Sequence, residues 1–194
     1  MSISPITPCF TPGTMIATER GPVAVEALRT GDRLVTRDNG LRRVHWIGRR
    51  DVDYSELLVE PELGPVLVRA GAFGDGRPYR DVMVSPSHRF LISPDQSFLT
   101  IEEDEALVAA RHLVDGRLVR SAKTLGVSYL HLLCDAHQVI LADGAWTETF
   151  HPDDQIMRAL GNSQRREILD LFPEVETMGA AKRFSAARTI VERP

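Results

Sequence analysis

Two cysteines stand in a chain of 194 residues, and one of them, Cys9, lies in PCFTPGTMIAT, just ahead of a Pro-Gly turn and an apolar run. Two readings of that thiol are open. A free cysteine is commonly a small buried hydrophobe. A cysteine beside a turn at the edge of a strand is also where a lowered pKa and an accessible acyl group can meet. The second reading needs a histidine to manage protons and a group that polarises the acyl oxygen or the leaving nitrogen. The segment MVSPSHRFLI, residues 83–92, supplies such a histidine. Ser85 and His88 are three residues apart across Pro86, whose ring pins the backbone, so hydroxyl and imidazole can address one site. A satisfied histidine at a strand edge fits the same spacing.

Other reactive side chains have plainer identities. Cys134 ends the apolar stretch YLHLLC and reads as a buried thiol, with a disulfide to Cys9 as the sharper alternative that would silence the nucleophile. His131, Cys134 and His137 have metal-ligand residue types at three-residue spacing, but side chains alternate faces along a strand, so a shared tetrahedral site would require a turn between them. No metal and no cofactor are expected. The glycines of residues 60–81 lack a strand-GxGxxG-helix context and are assigned to loops. Trp46 and Trp146 read as core or rim aromatics.

The elements that must position these groups are short. Between residues 9 and 150 the chain is a succession of strand-like runs of four to seven residues, among them GTMIAT, DRLVT, RRVHWIG, PVLVRAG, YLHLL and QVILADG, separated by turn signals. Asn39-Gly40, Asp115-Gly116 and Asp143-Gly144 are dipeptides that accept positive φ at tight hairpins. The pattern predicts an all-β fold. ALRTGDRLV (residues 27–35) echoes HLVDGRLV (residues 112–119), which two copies of one β unit would explain and which generic turn chemistry explains equally. After Phe150 the texture changes: Pro152-Asp153-Asp154 starts a helix, and Ile156, Leu160, Ile168 and Leu171 give it one apolar face up to Pro173. Residues 177–194 read as a second short, basic helix or a loose tail.

The totals narrow the function classes. A net charge of −4 and a pI near 5.9 give no broad positive field, so nucleic acid is not expected as a partner. The start MSISPITPCF has no basic n-region or apolar h-region, and no run of about 18 apolar residues follows, so neither a signal peptide nor a membrane span is expected. A cytoplasmic chain and a part of a larger exported protein both remain open.

CFTPGTMIAT, then GPVAVEALRTGDRLVT, VSPSHRFLI and HQVILADG together resemble the Hint superfamily, the self-processing fold of Hedgehog C-terminal domains and inteins, in its bacterial Hint-domain branch. The resemblance covers about three quarters of the chain. It implies a compact β fold with a pseudo-two-fold repeat, divided as an upstream segment 1–8, an autoprocessing domain 9–150 and a helical extension 151–194. It also implies that Cys9 is the nucleophile following a scissile Pro8–Cys9 bond, that Ser85 stands where the family has threonine, and that His88 is the matching histidine. Asp135 and His137 fall near the region where the family often carries an acidic residue and a histidine that assist the first step; a solvated turn is the competing reading.

The chemistry so implied follows from residue types. An amide nitrogen leaves badly, so sulfur attacking the Pro8 carbonyl needs the nitrogen protonated as the bond breaks, a task suited to His88. Ser85 would hold the peptide's polar groups or bend it from its relaxed geometry. The product is a thioester that water, a thiol, an amine or an alcohol cleaves, releasing the upstream segment. Splicing ends with a His-Asn pair, but Glu148 and Thr149 stand in that place, so cleavage or transfer without splicing is expected. Two other classes remain in view. One is an inactive Hint-like binding or structural module, suggested by the eight residues upstream of Cys9. The other is a cysteine hydrolase acting in trans.

Overall fold

The structure, a computed structural model, describes residues 7–96 and 104–191. The first half contains β1 (Met15–Thr18), β2 (Gly21–Ala24), β3 (Arg33–Val35), β4 (Leu41–Arg43), β5 (Trp46–Asp53) and α1 (Tyr54–Val59). Then come β6 (Val66–Val68), β7 (Val82–Val84), β8 (Arg89–Ile92), β9 (Ala106–Ala109), β10 (Val119–Ser121), β11 (Gly126–Leu133), β12 (Val139–Ala142) and β13 (Ala145–Glu148). The chain closes with α2 (Asp154–Ala159), α3 (Asn162–Leu171), α4 (Glu174–Met178), α5 (Ala180–Arg183) and β14 (Ile190–Val191).

A large sheet runs β14-β9-β8-β13-β12-β1-β3-β4, with β2 attached to β1. A smaller one runs β10-β6-β7, and β5 pairs with β11 as a ribbon in continuous register from Trp46 opposite Leu133 to Asp53 opposite Gly126. Phe10, Ile16, Leu34, Val68, Val84, Phe90, Leu132 and Ile140 share the main core. A second core, built on Trp46, Leu133 and Phe150, is covered by Ile156, Leu160, Ile168 and Phe172 of the C-terminal helices. Among the described residues no helix is long and apolar enough to cross a membrane.

The internal echo is a structural repeat. In each half a strand ends at an alanine of extended conformation, Ala24 or Ala109, followed by a 3-10 turn, Val25–Ala27 or Ala110–Leu113. Next come a left-handed glycine, Gly31 (φ 95°) or Gly116 (φ 75°), a short strand, β3 or β10, and a long strand, β5 or β11. The two long strands pair with each other, as expected of elements related by a pseudo-two-fold axis.

Asp143 and Gly144, at φ 46° and 82°, form a two-residue hairpin between β12 and β13, with Ala142 opposite Ala145. Asp115-Gly116 is not a strand-to-strand hairpin. The Asp115 carboxylate instead accepts the N–H groups of Arg117 and Val119 and leads the 3-10 turn into β10. The single helix expected up to Pro173 is two helices. The backbone turns extended at Leu160 (ψ 144°) and Gly161 (ψ 149°), which separates α2 from α3. Leu171 is consequently 46% exposed, and Phe172 fills the core in its place. The segment expected as a basic helix or tail holds the end of α4, then α5 and β14, which adds in parallel to β9; residues 192–194 lie outside the described residues.

A candidate self-processing site around the Pro8–Cys9 peptide

The chain enters the fold between two strands. Phe10 bridges Val84 on one side and Leu130 on the other, exchanging both backbone hydrogen bonds with Leu130 at 2.9 Å. The Ser85 N–H donates to the Cys9 carbonyl at 3.0 Å, and the Thr11 hydroxyl donates to the Met83 carbonyl at 2.8 Å. Residues 9–11 thus run antiparallel to residues 83–85. That crossing brings Cys9 beside Ser85 although 76 positions separate them. The Cys9 side chain, 2% exposed, packs among Val52, Leu63 and Tyr129 on one face of the β5–β11 ribbon.

Both polar ends of the Pro8–Cys9 peptide are held. The Cys9 N–H donates to Ser85 Oγ at 2.9 Å, and the Ser85 hydroxyl donates to the Thr7 carbonyl at 2.8 Å. On the other side His131 Nδ1 lies 3.1 Å from the Pro8 carbonyl oxygen and 3.2 Å from Cys9 Sγ. A carbonyl oxygen only accepts, so His131 carries its proton on Nδ1 and points it at the acyl oxygen. The thiol donates to the Thr7 carbonyl at 2.9 Å.

At rest the site is uncharged. Burial pushes the Cys9 thiol up to about 12, against the lowering effect of its Thr7 hydrogen bond and of Arg50. Burial pushes His131 down to about 4, although the bond to the Pro8 carbonyl favours its protonated form. His88 is also pushed down to about 4 by burial, against the charge of Glu148. A nucleophile next to a carbonyl, a donor on that carbonyl and a hydroxyl on the leaving nitrogen can together transfer an acyl group from nitrogen to sulfur.

His88 is adjacent but turned away. Its backbone N–H donates to the Ser85 carbonyl at 3.0 Å, and its ring meets Phe10 edge-on at 4.4 Å. Its Nε2 is 2.6 Å from Thr147 Oγ1, and the Thr147 proton goes to the Arg89 carbonyl at 2.7 Å, so the histidine donates from Nε2. The neutral ring therefore carries a lone pair on Nδ1, which is buried and has no hydrogen-bond partner. The ring is not hydrogen-bonded to the Pro8–Cys9 peptide.

Asp135 and His137 are not brought to the peptide. His137 Nδ1 accepts the Ala187 N–H at 3.0 Å, which leaves the proton on Nε2 to be donated to Glu148 at 3.1 Å. Asp135 sits on the turn before β12, where its carbonyl accepts from Arg183. Glu148, where splicing would place a histidine, is fully buried; burial would raise its pKa, but the His137 hydrogen bond and Arg89 outweigh that and hold it ionised. Cys9 and Cys134 are both free and lie in different clusters of the interior. Among the described residues no group of three or more His, Cys, Asp or Glu is placed to hold a metal ion, since His131 faces Cys9 while His137 faces Glu148.

His131 is the site residue that the sequence reading missed, having been weighed only as a metal-ligand type. Its signal was alternation: within YLHLL it shares a strand face with Tyr129, and it is the one imidazole in an apolar strand. Gly48 lies opposite it in register.

Comparison with known proteins supplies a family. Many solved structures are similar in fold. The gp41-1 intein matches at 10% identity over 72% of this chain and 97% of its own, with a TM-score of 0.42. A DnaB intein from Synechocystis sp. PCC 6803 matches at 10% over 73% and 98%, TM-score 0.47. A bacterial intein-like domain from Clostridium thermocellum matches at 15% over 73% and 97%, TM-score 0.42. No curated protein is a significant match in sequence. The family model described as Hint domain matches residues 8–154, from Pro8 through β13 to the start of α2. That match takes in most of the chain, together with every residue around the Pro8–Cys9 peptide except Thr7, and the chain therefore belongs to the Hint domain family of self-processing proteins.

Proposed function

We propose that this Hint domain cleaves its own Pro8–Cys9 bond through a thioester, without splicing. The observation that carries the reading is the clamp on that peptide: His131 Nδ1 3.1 Å from the Pro8 oxygen and 3.2 Å from the Cys9 sulfur, with the Cys9 N–H on Ser85 Oγ. Sulfur attacks the Pro8 carbonyl carbon, and the oxygen that becomes negative stays on the His131 N–H. The thiol proton passes to an imidazole and is handed to the Cys9 nitrogen as the C–N bond breaks, so atoms and charge balance in an isomerisation. His88 is assigned as the proton carrier: its ring, which bonds Thr147 at rest, turns to bring its neutral, unpartnered Nδ1 to the peptide. Ser85 holds the leaving nitrogen and the Thr7 carbonyl in place. Water, a thiol, an amine or an alcohol then releases the upstream segment. Asp135 and His137 support the fold elsewhere.

A Hint-like module that no longer processes is the second reading, favoured by the His88 ring bonding Thr147 instead of the peptide. A reporter protein fused ahead of Ser2 separates the two. Incubation with dithiothreitol should release a fragment ending at Pro8, seen by mass spectrometry, and Cys9→Ala should abolish release; an intact precursor at all thiol concentrations would establish the second reading.

A further inference from the structure

Helix α3 contributes to a site it does not touch. It lies beyond the family match at residue 154, yet it is pinned to β5 twice. The Trp46 indole N–H donates to Glu167 at 2.7 Å, and the Gln164 amide donates to the Arg49 carbonyl at 3.0 Å. The Trp46 ring lies nearly parallel to that of His131, at 16° with centroids 6.1 Å apart, and Phe150 contacts both, at 5.8 Å and 5.0 Å. The space for this stack comes from Gly48. A Cβ there would stand 2.1 Å from the indole, so any side chain would drive Trp46 off the position it holds. Residue by residue the connection runs from the Glu167 carboxylate to the indole, to the imidazole, and to the Pro8 oxygen and Cys9 sulfur.

We propose that Glu167 is a positioning residue for self-cleavage: by holding the Trp46 indole across Gly48, it fixes the plane of His131 and keeps water from it, making the C-terminal helices part of the processing machinery. This rests on the reading of the Pro8–Cys9 peptide as the scissile bond. An indole without its acceptor leaves His131 free to tilt, and a misplacement of about 1 Å in a reacting group can cost about 100-fold in rate. It also lets water reach an imidazole whose proton affinity is set by burial. The other titratable or charged groups around His131 are Cys9 on the entering segment, Tyr129 on its own strand, Arg50 on β5 and His88 ahead of β8.

The test uses the full chain behind the upstream reporter for rates, and the Cys9→Ala chain for histidine titration by NMR. Glu167→Ala and Trp46→Phe, the latter keeping an aromatic ring without the N–H, should slow thioester formation by about 10-fold to 100-fold. Both should also move the His131 midpoint from about 4 toward the value of a solvated imidazole, about 6.5. Glu167→Gln retains an acceptor for the indole and should restore rate and midpoint, and Asp170→Ala, at an exposed position of the same helix, should leave both unchanged. The proposal is overturned if Glu167→Ala and Trp46→Phe leave the midpoint in place, or if Asp170→Ala slows the reaction as much as they do. If His131→Ala forms thioester at the parent rate, the reading of the site itself fails, a result distinguishable from an unchanged Glu167 variant.

Discussion

The turn Thr11-Pro12-Gly13-Thr14 leads into β1 just as Ser85-Pro86-Ser87-His88 leads into β8. In both, the fourth N–H returns to the first carbonyl, at 3.3 Å in one and 3.0 Å in the other. In both, the fourth carbonyl accepts a 2.8 Å bond from the head of a 3-10 turn, from Val25 onto Thr14 and from Ala110 onto His88. The two turns differ at their last side chain. Thr14 closes on its own turn through the Thr11 carbonyl at 2.9 Å, whereas His88 reaches to Thr147 and leaves a buried nitrogen unpartnered. The repeat thus supplies the same backbone support twice. On the proposed reading the copy ending in His88 carries the chemistry, while the copy ending in Thr14 has the same backbone bonds without it.

That comparison can be broken by making the second turn resemble the first. His88→Thr should keep the fold, judged by circular dichroism and a melt close to the parent, while lowering thioester formation by about 100-fold to 10,000-fold, the range for loss of a general acid-base group. Cleavage at the parent rate would remove His88 from the mechanism. Ser85→Ala comes next. It strands the Cys9 N–H and the Thr7 carbonyl in a buried place, so it should cost about 1–3 kcal/mol of stability by denaturant titration as well as slowing release, with Ser85→Thr keeping the hydroxyl and both properties.

Acid should expose the difference as well. His88 and His131 take up a proton near pH 4 in the folded chain and near 6.5 when unfolded. Between those values the unfolded form binds more protons, so stability is greatest above about 6.5 and falls as pH drops toward about 4. In the Cys9→Ala chain, His88→Thr should make that decline shallower by about 1.4 kcal/mol per pH unit, read from denaturant titrations across the window. The smallest effect belongs to the silent turn. Gly13 stands at φ 89°, so Gly13→Ala should destabilise by about 1–2 kcal/mol and leave the chemistry of release untouched.

Much of this was legible in the sequence. Turn dipeptides and short apolar runs announced an all-β fold, and the Gly-Asp echo of residues 27–35 and 112–119 marked the repeat. The clearer echo, TPGT against SPSH, is masked in the sequence because only the proline is shared and Gly13 and Thr14 stand against Ser87 and His88. Strands β9 and β13 gave no alternating signal, being buried on both faces or nearly so. The break between α2 and α3 was hidden because the apolar spacing continues across Gly161. His131 stands out in the sequence as the imidazole of an apolar strand, but what it faces is set by the Phe10–Leu130 bridge that carries the chain's entry across β11, a long-range pairing that no local pattern encodes.

The central claim is that sulfur takes the acyl group from nitrogen at one bond, and the Pro8 carbonyl carbon reports on it directly. With carbon-13 at that position in the full precursor, NMR should show a resonance in the thioester region that grows with time, disappears on addition of dithiothreitol and is absent in Cys9→Ala. A carbonyl that stays an amide, even while the upstream segment is released, would contradict the account.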